Sequence, residues 1–220
     1  MGFTFNKKWA AAFDVDAMNT FTPLCPGELP VPEGHLIVDE LNAQAQYAKY
    51  RVGSKDAHCL AAIYNATPLQ PQFSPIEGEP NADIRWNVHG IPGTYGFQLL
   101  KGLPAVTEYD FFIWKGIEPN MHPYGACYHD LAERLPTGVI DWAATRAICT
   151  FIVGGLATDY CVKLTVEQLL RGFDVILNLG ACRGITTEGT AKAVEELKVK
   201  GAIIVNCAKE IEAMCYEAGT

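Results

Sequence analysis

The chain has 220 residues, 49% hydrophobic and 19% charged, which provides apolar material for one generous core and excludes wholesale disorder. Its net charge of −8 argues against a nucleic-acid or anionic-membrane partner, and no apolar stretch approaches the roughly 18 residues that a membrane span needs. The apolar run from Trp9 to Phe13 is too short for a secretory leader, so the expected setting is the cytoplasm, with reduced cysteines, a small-molecule substrate and a homo-oligomer left open.

Apolar, β-branched or aromatic runs at Trp9–Val15, Tyr50–Gly53, Tyr109–Trp114, Ala147–Gly154, Phe173–Leu179 and Ala202–Val205 predict strands. Helical spacing occurs over Leu36–Lys49, Val162–Arg171 and Glu188–Lys200, with Thr186-Thr187-Glu188 as a start signal and Gly172 and Gly201 as stops. Alternation of the two predicts an α/β fold: a single three-layer α/β/α domain over residues 1–220, its central sheet mostly parallel and of roughly six strands. From about Cys59 to Leu103 the chain is rich in Pro, Asn and Gly and lacks periodicity. Long irregular loops in compact domains tend to carry function, and this one holds Trp86 and His89.

Polar groups stand at the carboxyl ends of four predicted strands: Asp14 and Asp16, Asp56 and His58, Lys115, and Cys161. Open α/β sheets bind ligands outside those ends, so residues distant in sequence can converge there. Cys161 closes the run Ile152-Val153-Gly154-Gly155-Leu156-Ala157-Thr158-Asp159-Tyr160-Cys161, where an apolar strand gives way to a helix. A helix N-terminus favours thiolate over thiol, although a free cysteine is more commonly an inert apolar filler.

A cysteine beside an acid and a lysine can attack a carbonyl carbon, the acid taking the thiol proton and returning it to a leaving amine. Asp16, Lys115 and Cys161 make such a set, and the backbone N–H groups of Ala157 and Cys161 are candidates for an oxyanion hole. Each has a bland alternative: Asp16 as a turn cap, Lys115 as a solvated strand-end charge. Asp56 and His58, at i and i+2 in extended chain, share a face and with His89 can hold one divalent ion; Zn²⁺, Mn²⁺ or Fe²⁺ suits that donor set. Hydrogen-bonded structural histidines are the commoner outcome for such a pair. His122 and His129 are further, lower-ranked ligand candidates.

Five pieces in order then resemble the nicotinamidase/pyrazinamidase group of the isochorismatase-like cysteine hydrolases. They are Val15-Asp16-Ala17-Met18-Asn19-Thr20-Phe21, Lys55-Asp56-Ala57-His58, Trp86-Asn87-Val88-His89, Trp114-Lys115-Gly116 and Gly155-Leu156-Ala157-Thr158-Asp159-Tyr160-Cys161-Val162. The resemblance implies a Rossmann-like sheet, and Asp16 rather than Asp14 as general acid/base, Lys115 as its partner and Cys161 as nucleophile. It also implies a cis Leu156–Ala157 peptide, a metal on Asp56, His58 and His89, most commonly zinc, and an aromatic ring held between Phe21 and Trp86. The segment Pro119–Tyr128 departs from the family pattern in its bulky groups, and Tyr124 within it is a candidate pocket wall. Relatives that place a further His or Glu soon after the Asp-x-His pair are not matched: Cys59 to Asn65 offers only Asn65, through a water.

The activity implied is hydrolysis of nicotinamide to nicotinate and ammonia, with pyrazinamide as an additional substrate. A cysteine amidohydrolase acting on carbamoyl or ureido compounds is an alternative that needs no such metal ligands. A vinyl-ether hydrolase would not require Cys161, and a non-catalytic binding protein would not need all three catalytic positions filled. Dinucleotide binding lacks its G-x-G-x-x-G after the first strand. Asp14, two residues from Asp16, is a candidate for perturbing its charge.

Overall fold

The computed structural model describes residues 2–217; Met1 and residues 218–220, which the expected domain includes, lie outside the described residues. Eight strands and five α-helices follow in chain order: β1 Phe5–Asn6, β2 Ala10–Val15, α1 Val38–Ala45, β3 Tyr50–Asp56, β4 Phe111–Lys115, α2 Val139–Ala144, β5 Thr150–Leu156, α3 Lys163–Leu169, β6 Asp174–Arg183, α4 Thr187–Val199, β7 Ile203–Val205, α5 Ala208–Glu212 and β8 Cys215–Tyr216. Six of the strands form one sheet in the order β4-β3-β2-β5-β6-β7, every pair parallel, while β1 and β8 make a separate two-stranded ribbon.

Parallel strands need long crossovers, and the helices that supply them bury the sheet on both sides. β2 and β5 are therefore buried along their whole length. Ala11, Phe13 and Val15 of β2 pack with Phe151 and Val153 of β5 against Val139 and Trp142 of α2, Val166 and Leu169 of α3, and Leu197 of α4. On the opposite face Ala10 and Ala12 lie with Ile152, Ile176 and Ile211 of α5, beside Ala45 at the end of α1. Side-chain alternation along β2 separates these two sets.

The six predicted strands are all present, and the differences at their ends matter for the site. β3 runs past Gly53 to Asp56 and β4 ends on Lys115, so both groups are fixed by the last ladder positions rather than by loops. Trp9 sits in a 3₁₀ turn, Lys7–Trp9, before β2. α1 is shorter than Leu36–Lys49 because a 3₁₀ turn, Gly34–Leu36, precedes it. The α4 start is as expected, the Thr186 hydroxyl accepting from Gly189 N–H at 2.9 Å. α2 and α5, of six and five residues, are too short to show helical periodicity in sequence.

The chain travels β2 to β3 to β4 toward one edge, then returns to place β5 on the other side of β2. This reversal opens a crevice at the carboxyl ends of β2 and β5, the standard ligand position of such sheets. Gly155 makes the close approach there possible: its φ is +138°, and a Cβ would overlap the Val15 carbonyl oxygen. In place of a crossover helix, β3 and β4 are joined by the long loop, pinned over the crevice by Leu100 N–H to Ala17 O at 3.0 Å and Asn19 N–H to Gln98 O at 3.0 Å. Ala62, Tyr64 and Ala82 form a small apolar cluster within it.

Candidate active site

Asp16 follows directly on β2 in the left-handed region, φ 45°, which breaks the strand's alternation. Its Oδ1 accepts from the Ser54 hydroxyl at 2.6 Å, and its N–H donates to the same oxygen at 3.1 Å. Lys115 Nζ lies 3.0 Å from Asp16 Oδ2, donates to Asp56 Oδ1 and stands 3.7 Å from Cys161 Sγ. All four side chains are buried. Three residues at the ends of three adjacent strands and a fourth after β5 thus meet at one point.

Cys161 lies in a π-helical turn, Thr158–Val162, between β5 and α3. The Leu156–Ala157 peptide is cis, as the motif implied. Tyr160 N–H and Val162 N–H both turn back onto the Ala157 carbonyl at 3.1 Å, whereas Cys161 N–H between them does not. Asp159 anchors the turn, accepting from Ile185 N–H at 3.0 Å and Thr186 N–H at 3.2 Å ahead of α4.

The electrostatics reverse one expectation. Burial pushes the Cys161 thiol well above its usual range; Lys115 opposes this, and the Asp16 and Asp56 carboxylates add to the rise. A rise of this kind favours the thiol over the thiolate and gives a neighbouring base a proton to take. Burial also raises Asp16, against the pull of Lys115 and the Ser54 hydrogen bond. Burial would discharge Lys115, yet Asp16 and Asp56 together hold it well above the ordinary lysine range. Burial would likewise raise Asp56, but Lys115 and His58 hold it well below the usual carboxylate range. The centre therefore carries a fixed cation between two carboxylates.

Asp14 has partners of its own. Its Oδ2 accepts from Arg51 Nε and the Tyr109 hydroxyl, both at 2.8 Å.

His58 and His89 face Asp56 Oδ2 through their Nε2 atoms, at 3.5 and 3.7 Å. Their other nitrogens are engaged: His58 Nδ1 with Gly116 O at 3.0 Å and Tyr64 Oη at 2.8 Å, His89 Nδ1 with Asn87 O at 2.7 Å. Gly116, φ +71°, permits this arrangement, since a Cβ there would overlap the His58 ring. The free Nε2 of His58 is buried without a partner, and burial keeps His89 below the usual histidine range and so neutral. Inward-facing lone pairs beside an ionised carboxylate, with the outer nitrogens tied down, fit a divalent cation. Asn65 is not part of this set; its amide donates to Cys59 O at 3.2 Å and Leu60 O at 3.0 Å. His129 is also outside it, on a turn where its backbone N–H donates to Leu135 O at 2.8 Å.

A narrow pocket joins the two sets, with Cys161, Ala157 and Asp56 on its lining beside Phe21, Trp86 and Tyr124. Trp86 Nε1 donates to Tyr124 Oη at 3.3 Å, and that hydroxyl donates to Asp83 Oδ1 at 2.6 Å. Tyr160, His122 and Ile185 complete walls that the sequence reading did not assign. Tyr160 belongs to the Cys161 motif and was the most findable of these: its ring meets Trp86 edge-on at 5.0 Å. Ser54 and Tyr64, which hold Asp16 and His58, carried no motif signal.

The chain is 31% identical over 211 residues to the nicotinamidase of Escherichia coli (strain K12), an alignment covering 88% of this chain and 93% of that protein. The chain belongs to the nicotinamidase family. No protein-family model matches it. The nicotinamidase/pyrazinamidase of Acinetobacter baumanii superposes with a TM-score of 0.83 at 27% identity, covering 93% of this chain and 98% of that one. The pyrazinamidase of Pyrococcus horikoshii, solved in complex with zinc, does so with a TM-score of 0.70 at 27% identity, covering 90% and 98%. Among the described residues of this nicotinamidase-family chain, no helix is long and apolar enough to cross a membrane.

Proposed function

We propose that this chain hydrolyses nicotinamide to nicotinate and ammonia, and accepts pyrazinamide, through a thioester on Cys161. The observation that carries the reading is the buried meeting of Asp16, Lys115 and Cys161, with Cys161 lining an aromatic-walled pocket. Phe21 and Trp86 receive the flat ring, with Tyr124 limiting its depth.

Asp16, ionised, takes the proton from Cys161, whose sulfur attacks the amide carbon. The N–H groups of Ala157 and Cys161 receive the developing oxyanion. Asp16 passes the proton to the departing nitrogen and ammonia leaves. Asp16 then deprotonates a water that attacks the thioester, and nicotinate departs with the thiol restored. Lys115 keeps the net charge around Asp16 favourable to its ionised form throughout.

Asp56, His58 and His89 would hold a divalent metal, which we assign as zinc from the imidazole-rich donor set; when bound it supplies a Lewis-acidic anchor for the ring nitrogen. Ammonia release from nicotinamide by wild type and Cys161→Ala, each with and without chelator, tests the reading. Loss in both the variant and the chelated wild type is expected; a silent wild type that releases ammonia from ureido compounds would overturn the substrate assignment.

A further inference from the structure

His122 plays no part in that scheme, yet it is buried in the middle of the site. It lies on the loop after β4, is 3% exposed, and neither ring nitrogen has a hydrogen-bond partner. Buried polar atoms left unpaired are costly and rare, so two on one ring require a reason. Packing does not give one. His122 stacks near Trp86, at 5.9 Å and 19°, and against Tyr64 at 4.6 Å, but a phenyl ring would fill the same space without polar atoms to satisfy.

Its neighbours do give one. The His122 ring is 5.1 Å from His58, nearly parallel to it, and 6.1 Å from His89. One nitrogen from each of the three histidines lies within 4.8 Å of the others. Around a tetrahedral zinc with bonds of about 2.0–2.1 Å, ligand nitrogens stand roughly 3.4 Å apart, so small side-chain rotations close the gap.

We propose that His122 is a fourth protein ligand, completing with Asp56, His58 and His89 a three-histidine, one-carboxylate site for a divalent cation. This rests on the reading that those three residues bind a metal. The missing ligand after the Asp-x-His pair is then supplied from the other side of the site, by the loop that follows Lys115.

The test is binding rather than turnover. Metal-free full-length protein, checked for folding by its thermal unfolding midpoint, is titrated with Zn²⁺ in competition with a chromophoric chelator, and separately with Co²⁺ while the visible d–d bands are followed. Wild type, His122→Ala, His122→Asn and His58→Ala are compared, with the asparagine retaining a polar side chain should the alanine variant fold poorly. Both His122 variants are expected to bind Zn²⁺ about tenfold or more weakly and to show shifted cobalt bands. If they keep wild-type affinity and bands while His58→Ala loses binding, His122 only lines the substrate cavity and the proposal is overturned. If His58→Ala also binds as wild type does, the metal reading beneath it fails as well.

Discussion

Asp56 and Lys115 tie the proposed metal-binding side of the site to the proposed catalytic side. One oxygen of Asp56 accepts from the Lys115 ammonium, and the other faces His58 and His89. Lys115 in turn reaches Asp16 and Cys161, so one buried cation is shared by both sets. Lys115→Met removes that cation and leaves two carboxylates buried without compensation. We expect a stability loss of about 3–5 kcal/mol in urea denaturation, together with loss of hydrolysis. A variant as stable and active as wild type would show that Lys115 is not the group holding the carboxylates.

Ser54 is the second hold on Asp16. Hydrogen bonds to charged groups contribute about 1.5–3 kcal/mol, so Ser54→Ala should lower kcat/KM roughly ten- to a hundredfold. The Ser54 hydrogen bond favours ionised Asp16, so its removal raises the Asp16 pKa further. The mechanism needs the ionised form, and the acidic limb of the pH–rate profile should therefore move to higher pH. A profile that falls in height without shifting would indicate that Ser54 acts on geometry alone.

Asp14→Asn should do the opposite, leaving the pH–rate profile where it is. Its carboxylate serves Arg51 and Tyr109, so the cost is expected in stability, about 1–3 kcal/mol for the unpaired guanidinium and hydroxyl. Equilibrium denaturation and the pH profile separate the two effects.

Gly116→Ala tests the support of His58. A Cβ at this position meets the imidazole, and the left-handed backbone adds about 1–2 kcal/mol of strain. Zinc affinity measured by chelator competition is expected to drop about 10–100-fold, a size typical of lost outer-shell support. Unchanged affinity would place the important contacts of His58 elsewhere.

The sheet was legible because its strands are buried on both faces and so appear as continuous apolar runs, as in Ala147–Gly154. The candidate catalytic residues were legible because each stands at or beyond the end of such a run. What escaped notice was decided by tertiary contact. Ser54 lies beyond the point where the predicted strand stopped, and its hydroxyl matters only because Asp16 is opposite. Tyr64 lies in an aperiodic segment, and its role arises from a fold that brings residues 58, 64, 89 and 122 together; His122 was legible only as a lower-ranked ligand candidate, because no spacing in the sequence ties it to residues 56, 58 and 89. At Cys161, burial and two carboxylates oppose the thiolate that a helix end favours.

The most direct measurement is mass spectrometry of the protein acid-quenched during turnover of nicotinamide, with the peptide carrying Cys161 analysed for acylation. A nicotinoyl group on Cys161, present in wild type and absent with Cys161→Ala, is the expected result. Turnover with no acylated Cys161, and a Cys161→Ala protein that still releases ammonia at the wild-type rate, would contradict thioester catalysis at this site.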